Sequence, residues 1–252
     1  ALGFVGGFTG EKLVDLLNEN NINNDMIFIE NQNTRINVKI SANNETEING
    51  MGPQIKDAQV QALLGKLDNL KDGDILVLSG SIPGSMPDDI YEKIMEYVKS
   101  KNVLIVVDAT NNLLMNCLKH HPFLIKPNNH ELAEIFNVEI KNKEDVVVYA
   151  KKLQTMGAKN VLVSMAGDGA VLVDQNNDVH ITSAPKGEVK NSVGAGDSMV
   201  AGFIYEYIKT GDTKKAFNFS VAVSSASAFK TGLADKNDLK KLDLEIWCIK
   251  YE

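Results

Sequence analysis

Residues 191–198, Asn-Ser-Val-Gly-Ala-Gly-Asp-Ser, place small residues directly before a carboxylate. The run precedes an amphipathic segment, so it predicts the start of a helix. The backbone N–H groups of Gly194, Ala195 and Gly196 can approach a ligand closely, because no bulky side chain shields them. A helix N-terminus attracts anions such as phosphate. Asp197 would then either cap the helix or abstract a proton, and the run alone fits both roles.

A second polar run, Lys126-Pro127-Asn128-Asn129-His130-Glu131, follows a short apolar strand. Asn128 and Glu131 are three residues apart and can share one face of a helix start. Their oxygen atoms suit Mg²⁺, and the Lys126 ammonium suits a phosphate. The same spacing also fits a capping box that holds no metal, so both interpretations stay open.

A third run, Ser164 to Gly169, ends another predicted strand. Gly167 and Gly169 permit a tight turn close to a ligand, although an ordinary turn would have the same composition.

Residues 34–40 alternate in the manner of a β-strand. A period of two places Arg35, Asn37 and Lys39 on one face. Two cations and an amide there would bind a sugar phosphate, or would simply form the solvated face of a small sheet.

The elements that must position these runs follow from the hydrophobic pattern. From residue 55 onward, continuous apolar strands alternate with amphipathic helices, which predicts a parallel sheet covered on both faces. Predicted strands end near residues 78, 107, 125 and 163, so the polar runs should meet at one edge of the sheet. Earlier in the chain, residues 26–30, 34–40 and 45–48 predict a small antiparallel sheet.

Composition limits the function. The 252 residues are 44% hydrophobic and 23% charged, which suits one large α/β domain. The net charge of −7 and the lack of a basic run argue against nucleic acid as a partner. The two cysteines, Cys117 and Cys248, lack metal-site spacing and predict reduced thiols in a cytoplasmic protein. No apolar run is long enough to predict a membrane span.

Several enzyme signatures are missing from the sequence. It contains no GxxxxGK[ST], no GxGxxG after a strand, and no HRD, DFG, GxSxG or HExxH pattern. These absences argue against P-loop proteins, dinucleotide oxidoreductases, protein kinases, α/β-hydrolases and zinc proteases.

Taken together, the runs at 191–198, 126–131 and 164–170 resemble, in order and spacing, the motifs of the ribokinase-like, or PfkB, carbohydrate kinases. Residues 79–83, Ser-Gly-Ser-Ile-Pro, match as well. The resemblance covers essentially the whole chain as one kinase domain. It implies a three-layer α/β/α sandwich with a mostly parallel central sheet and a small β-sheet lid within about residues 25–50.

The resemblance also implies roles for individual residues. Asp197 would be the general base, and Gly194, Ala195 and Gly196 would form an anion hole for the transferring phosphoryl group. The metal Mg²⁺ would be held by Asn128 and Glu131. The ATP site would be lined by Lys126, Asn128, Ser164, Gly167, Gly169, Ser225 and Gly232. The sugar phosphate would be bound by Arg35, Asn37 and Lys39.

Within the family, residues 34–50 look most like the bacterial enzymes that phosphorylate fructose 1-phosphate at the C6 hydroxyl. Kinases of tagatose 6-phosphate or fructose 6-phosphate are the neighbouring alternatives, and a catalytically silent nucleotide- or sugar-phosphate-binding protein is the alternative from another class. A monovalent cation is a further possible cofactor, and a homodimer through the lid is expected. Family members carry an N-terminal segment ahead of the point that matches Ala1, so we expect that segment to be missing from this sequence.

Overall fold

The computed structural model describes residues 1–41, 45–80 and 82–242 of the chain. The chain forms two compact units. The first contains Ala1–Asp74 and Gly80–Val103, and the second contains Ile75–Ser79 and Leu104–Glu252. The single kinase domain expected from the sequence remains a prediction. Within the described ranges, no helix combines the length and the hydropathy needed to cross a membrane.

The first unit opens with a short βαβ arrangement. Strand β1 (Phe4–Val5) is followed by helix α1 (Gly7–Glu19) and strand β2 (Ile27–Phe28), and the two strands pair in parallel. The prediction that residues 26–30 belong to an antiparallel sheet is therefore wrong. The 13-residue helix α1 returns the chain to the end of the sheet at which β1 begins, so β2 can run parallel to β1.

The rest of the first unit contains one hairpin and two helices. Strands β3 (Asn37–Ser41) and β4 (Glu45–Asn49) pair antiparallel, with Val38 opposite Ile48. This pair is the antiparallel sheet that the alternating pattern predicts, and we call it the lid sheet. Helices α2 (Asp57–Lys66) and α3 (Ile90–Tyr97) follow.

The second unit is built on a six-stranded sheet with the order β10-β9-β8-β7-β6-β5. Strands β5 to β8 are parallel, and β9 is antiparallel to both of its neighbours. The strands are β5 (Ile75–Ser79), β6 (Leu104–Asp108), β7 (Leu124–Ile125), β8 (Asn160–Ser164), β9 (Ala170–Val173) and β10 (Val179–Thr182). The helices are α4 (Asn111–Cys117), α5 (Asn129–Phe136), α6 (Lys143–Thr155), α7 (Ala195–Thr210), α8 (Thr213–Ala228) and α9 (Lys236–Lys241).

Alternate strand residues bury the two faces of this sheet. On one face, a cluster joins the strands to α7 and α8; its members include Val106, Leu124, Leu162, Leu172, Phe203, Phe217 and Val221. The intervening residues, such as Val107 and Val161, are fully buried, and because side chains alternate along a strand they point to the other face. There α6 packs on β8 and β9. The continuous apolar strands predicted from the sequence are explained by this two-sided burial.

Candidate active site

The N-terminus of α7 holds the small-residue run. Gly194 is the N-cap residue and has φ +80°, a left-handed conformation that favours glycine. The helix begins at Ala195, which makes Asp197 its third residue and confirms that the run opens a helix. Asn191 shapes the approach to this helix, because its Oδ1 accepts a hydrogen bond from Val193 N at 3.0 Å.

Some of the first N–H groups of α7 donate hydrogen bonds within the protein, and others do not. Ala195 N donates to the carbonyl of Ser192 at 3.2 Å, and Ser198 N donates to the carbonyl of Gly194 at 2.9 Å. In the part of the chain that the structure describes, the N–H groups of Gly196 and Asp197 have no acceptor. These two groups are therefore the donors available to an anion at this helix terminus.

A cavity of about 560 Å³ lies beside this helix terminus. It brings together seven of the residues singled out from the sequence, namely Asn128, Ser164, Gly167, Gly169, Ala195, Gly196 and Ser225. Its volume is within the range of small-molecule sites. We call it the nucleotide cavity, after the ligand that the resemblance implies for these residues.

Sequence reasoning missed much of the wall of the nucleotide cavity. Residues 184–187, Met199, Val221 and Phe229 also line it. Phe229 packs so closely on Gly187 that a Cβ there would lie 2.3 Å from the phenylalanine ring. The Pro185-Lys186-Gly187 loop was a visible signal, but only the fold shows that it faces the same space as α8.

The two glycines of the run after β8 are explained by different features of the structure. Gly169 has φ +94°, and a Cβ there would lie 2.1 Å from the carbonyl oxygen of Thr182, so the turn itself requires glycine. At Gly167 a Cβ would meet no atom within 4 Å. The protein's own packing does not require glycine at Gly167, although the residue lines the cavity.

Asn128 and Glu131 form a capping box at the start of α5. Asn128 Oδ1 accepts a hydrogen bond from Glu131 N at 2.8 Å, and Glu131 Oε2 accepts one from Asn128 N at 2.8 Å. The capping interpretation of the sequence is thus confirmed. It leaves a role in metal binding open, because the Glu131 carboxylate has a second oxygen.

A second cavity, of about 350 Å³, is lined in part by Asp197. Its polar residues are Ser79, Asp108 and Asp197, which stand at the ends of β5 and β6 and at the start of α7. The remaining lining is apolar or aromatic and comprises Val77, Val200, Ala201, Ile204 and Tyr205. Asp197 therefore faces one cavity, while Ala195 and Gly196 face the other.

One cation lies among the carboxylates of this region. Lys126 Nζ is 3.2 Å from Asp108 Oδ1, and both side chains are largely buried. Burial raises the pKa of Asp108, the Lys126 ammonium lowers it, and the charges of Asp197 and Glu131 raise it further. The net result is a pKa for Asp108 above its ordinary value.

The donor set fits a divalent cation that arrives with a ligand. The charges of Asp197 and Glu131 both act on Asp108, and Lys126 is the cation that acts on the same carboxyl. Carboxylate and amide oxygens are the ligands that Mg²⁺ prefers, and it usually keeps several waters. Among the described residues, no group of three or more His, Cys, Asp or Glu side chains is arranged to hold a metal by itself.

The remaining predicted residues lie elsewhere. Lys126, Gly194 and Gly232 are not among the residues found lining the nucleotide cavity. Arg35 and Asn37 belong to the first unit, where both are exposed. The side chain of Lys39 lies outside the described part of the chain, as do Ser81 and Cys248.

A family model described as "pfkB family carbohydrate kinase" matches residues 1–240. The chain belongs to this family. The 1-phosphofructokinase of Bacillus subtilis is 46% identical over 246 residues, which cover 98% of this chain and 80% of the relative. The D-tagatose-1-phosphate kinase of Bacillus licheniformis is 35% identical over 247 residues, or 98% of this chain and 81% of the relative. The family and these relatives indicate that this pfkB kinase is a sugar-phosphate kinase.

Solved structures show the same fold. Phosphofructokinase-2 from Escherichia coli in complex with potassium matches this pfkB kinase with a TM-score of 0.88 and 27% identity, covering 96% of this chain and 80% of that one. A tetrameric inhibited form of the same enzyme matches with a TM-score of 0.87. A ribokinase from Arabidopsis thaliana matches with a TM-score of 0.75 at 21% identity, over 96% of this chain and 80% of that one. The ribokinase-like fold expected from the sequence is confirmed.

Proposed function

We propose that the chain transfers the γ-phosphoryl group of ATP to the C6 hydroxyl of fructose 1-phosphate, which yields fructose 1,6-bisphosphate and ADP. The observation that carries the proposal is the position of Asp197. Asp197 lines the second cavity, while Ala195 and Gly196, directly before it in the chain, line the nucleotide cavity. A donor in one cavity and an acceptor in the other would meet at Asp197. The 46% identity with a 1-phosphofructokinase supports the choice of acceptor.

In this reaction Asp197 is the general base. Its carboxylate takes the proton of the C6 hydroxyl as that oxygen bonds to the γ-phosphorus. The bond from the γ-phosphorus to the bridging oxygen breaks, and ADP leaves with the electron pair. A base in the first turn of α7 lies beside the helix terminus, so base and anion site are fixed by one element.

The phosphoryl group in transfer is bound by the turn of Gly194, Ala195 and Gly196. The N–H of Gly196 is available, whereas Ala195 would donate only after releasing the carbonyl of Ser192. The positive end of α7 adds to the stabilisation of the developing charge. Most of the catalysis in phosphoryl transfer comes from such positioning and charge stabilisation.

ATP occupies the nucleotide cavity in this proposal. Its phosphates approach Gly196 and Lys126, and the rest of the nucleotide lies along Ser164, Gly167, Gly169 and Ser225, with Gly232 at its edge. The open space beside Gly167 supports this arrangement, because a side chain there would fill room that the fold leaves empty.

Mg²⁺ accompanies the nucleotide, held mainly through water by Asn128 and the Glu131 oxygen that the capping box leaves over. When bound, it neutralises charge on the phosphates. The potassium complex of phosphofructokinase-2 supports a monovalent cation as an additional ligand.

The acceptor's phosphate is proposed to bind Arg35, Asn37 and Lys39 of the lid sheet. The exposure of Arg35 and Asn37 supports this role. Two neighbouring cations would favour a dianionic phosphate over a neutral sugar, which matches a kinase of sugar phosphates.

The protein is further proposed to form a homodimer through the lid sheet. Ile36, Val38, Ile40 and Ile48 are between 45% and 61% exposed. Val38 pairs with Ile48, and Val38 and Ile40 alternate with Asn37 along β3, so the apolar residues share one face. A second copy of this face would cover the apolar surface.

The test measures ADP release with Mg-ATP and, in parallel, fructose 1-phosphate, fructose 6-phosphate, tagatose 6-phosphate and tagatose 1-phosphate. The last is included because a D-tagatose-1-phosphate kinase is 35% identical. Fastest turnover on fructose 1-phosphate supports the proposal. Faster turnover on another acceptor would show that this other sugar phosphate is the substrate. ATP binding without turnover on any acceptor would leave a binding protein as the better account.

The matched variant is Asp197→Asn. Because the amide cannot take the proton, kcat should fall by about 10³-fold, while the melting temperature changes little. If kcat stays close to wild type, the assignment of the general base is wrong.

A further inference from the structure

Asp108 and Lys126 are neighbours because of how their strands pair. Strands β6 and β7 are parallel, with Val107 opposite Ile125, so the residues that follow them stand side by side. Lys126 N donates to the carbonyl of Val107 at 3.3 Å and continues this register. The side chains meet with Nζ and Oδ1 3.2 Å apart, at 8% and 18% exposure.

The ammonium of Lys126 also lies against the backbone of Gly196. A Cβ built on Gly196 would lie 3.2 Å from Lys126 Nζ and 3.6 Å from its Cε. Gly196 lines the nucleotide cavity at the start of α7. The ammonium therefore lies beside the first turn of α7, where the N–H of Gly196 is available to a phosphate.

The Lys126 ammonium has other carboxylates nearby. The negative charges of Asp197 and Glu131 both act on Asp108, so they lie within electrostatic range of the same pair. A mobile ammonium could pair with Asp197 instead, which would compete with proton abstraction. Asp108 is the carboxylate at hydrogen-bond distance, and it fixes the ammonium in one place.

The pair is poorly explained as a source of stability. Burial, together with the charges of Asp197 and Glu131, raises the pKa of Asp108 above its ordinary value in spite of Lys126, so the folded protein disfavours the charge that the pair needs. Buried ion pairs often stabilise a protein no better than apolar residues of the same volume. A charge kept at such a cost beside a ligand cavity points to a role in function.

We propose that Asp108 is a positioning residue, which holds the Lys126 ammonium beside Gly196 so that it meets the phosphates of the bound nucleotide. The inference rests on the proposed function, which supplies the ligand, a nucleoside triphosphate. It adds a residue that acts on the nucleotide through Lys126, since Asp108 lines the second cavity and is not among the residues found lining the nucleotide cavity.

The test is a double-mutant cycle on nucleotide binding. Calorimetry with Mg²⁺ present measures the dissociation constants of ATP and adenosine for wild type, Asp108→Asn, Lys126→Met and the double variant. Asp108→Asn should weaken ATP binding by about tenfold and leave adenosine binding unchanged, because adenosine has no phosphate. In the Lys126→Met protein, adding Asp108→Asn should cost little more, since the ammonium it positions is gone.

The control is Asp174→Asn, which changes another buried carboxylate of the second unit. It should leave the ratio of ATP to adenosine affinity at the wild-type value. Additive losses in the cycle, equal losses for ATP and adenosine, or no loss in Asp108→Asn would each overturn the proposal. If Asp108→Asn does not fold, Asp108→Glu takes its place, because the longer carboxylate keeps the charge and displaces the ammonium.

The outcome can be separated from that of the proposed function. The cycle uses no acceptor, so a wrong choice of sugar leaves it unaffected. Failure of the proposed reaction appears as missing turnover in the ADP-release assay. Wild-type protein that binds ATP no more tightly than adenosine would overturn the positioning role directly.

Discussion

At the scale of single residues, the backbone at Gly196 lies close to the buried charge of Lys126. A Cβ at this position would lie 3.2 Å from Lys126 Nζ, so any other residue would require the lysine to shift slightly. The sequence suggested glycine here for the approach of a ligand. The structure adds that glycine at this position also leaves room for the Lys126 ammonium.

The variant Gly196→Ala tests this second reason. The new methyl group would lie 3.2 Å from Lys126 Nζ, and the flexible end of the lysine would move before the backbone does. We expect ATP to bind about tenfold more weakly by calorimetry, with little change in melting temperature.

The control for this variant is Gly65→Ala. Gly65 is exposed in α2, and a Cβ there meets no atom within 4 Å. Alanine is favoured over glycine inside a helix by roughly 1 kcal/mol, so this variant should be slightly more stable, with unchanged ATP binding. Unchanged ATP binding in Gly196→Ala as well would contradict the reason given for the glycine.

At the scale of elements, a buried carboxylate joins the β9–β10 turn to the start of α8. The Asp174 carboxylate accepts hydrogen bonds from His180 Nε2 at 3.2 Å, Thr213 Oγ1 at 3.0 Å, Asn176 N at 2.9 Å and Asp178 N at 3.1 Å. Burial raises the pKa of this carboxyl, but the hydrogen bonds outweigh burial and bring the pKa below its ordinary value.

This arrangement predicts a dependence of stability on acid. Because the folded pKa of Asp174 lies below that of the unfolded chain, its stabilisation is fully present above about pH 4 and is lost as the pH falls through the folded pKa. Asp174→Ala should lower the free energy of unfolding by about 3 kcal/mol at pH 7, because buried donors lose their acceptor.

Urea unfolding of both proteins from pH 7 to pH 3 measures this effect. The difference between wild type and Asp174→Ala should shrink as the pH falls. A difference that stays constant over this range would show that the charge of Asp174 contributes nothing.

The elements also show what the sequence could predict. The start of α7 and the capping box of α5 were predictable, because both depend on residues within one helical turn. Helix α4 was missed, since its seven residues give little periodicity and begin at Asn111, which has φ +48°. The parallel pairing of β1 with β2 depends on chain direction, which the alternating pattern does not report.

The hydrophobic pattern of the sequence could not predict the contacts that complete the site. The pairing of Asp108 with Lys126 requires β6 and β7 to be adjacent, and the placement of Phe229 over Gly187 joins segments far apart in the chain. The sequence identified the residues of the turn and the two glycines after β8. It did not show which apolar residues would enclose the cavity.

At the scale of the whole molecule, the apolar face of the lid sheet predicts the assembly. Ile48 is 56% exposed and stands opposite Val38. An aspartate at this position would place a charge in the proposed dimer interface, so we expect a dimeric wild type and a monomeric Ile48→Asp protein. Sedimentation velocity measures the mass of each.

The control for the assembly is Asn49→Asp, which adds the same charge to the next residue of β4, on the opposite face. It should keep the wild-type mass. A wild-type monomer, or an Ile48→Asp protein that remains a dimer, would contradict the proposed interface.

The described residues that line the nucleotide cavity all fall within residues 128–229, an uninterrupted part of the second unit. The proposed phosphosugar contacts come from the first unit instead. In such an arrangement, the part of the gene that encodes the proposed phosphosugar contacts can be exchanged or duplicated without changing the part that encodes the nucleotide cavity. Recombination between relatives near residue 104 would therefore exchange the proposed phosphosugar contacts together with β5, and would leave the lining of the nucleotide cavity unchanged.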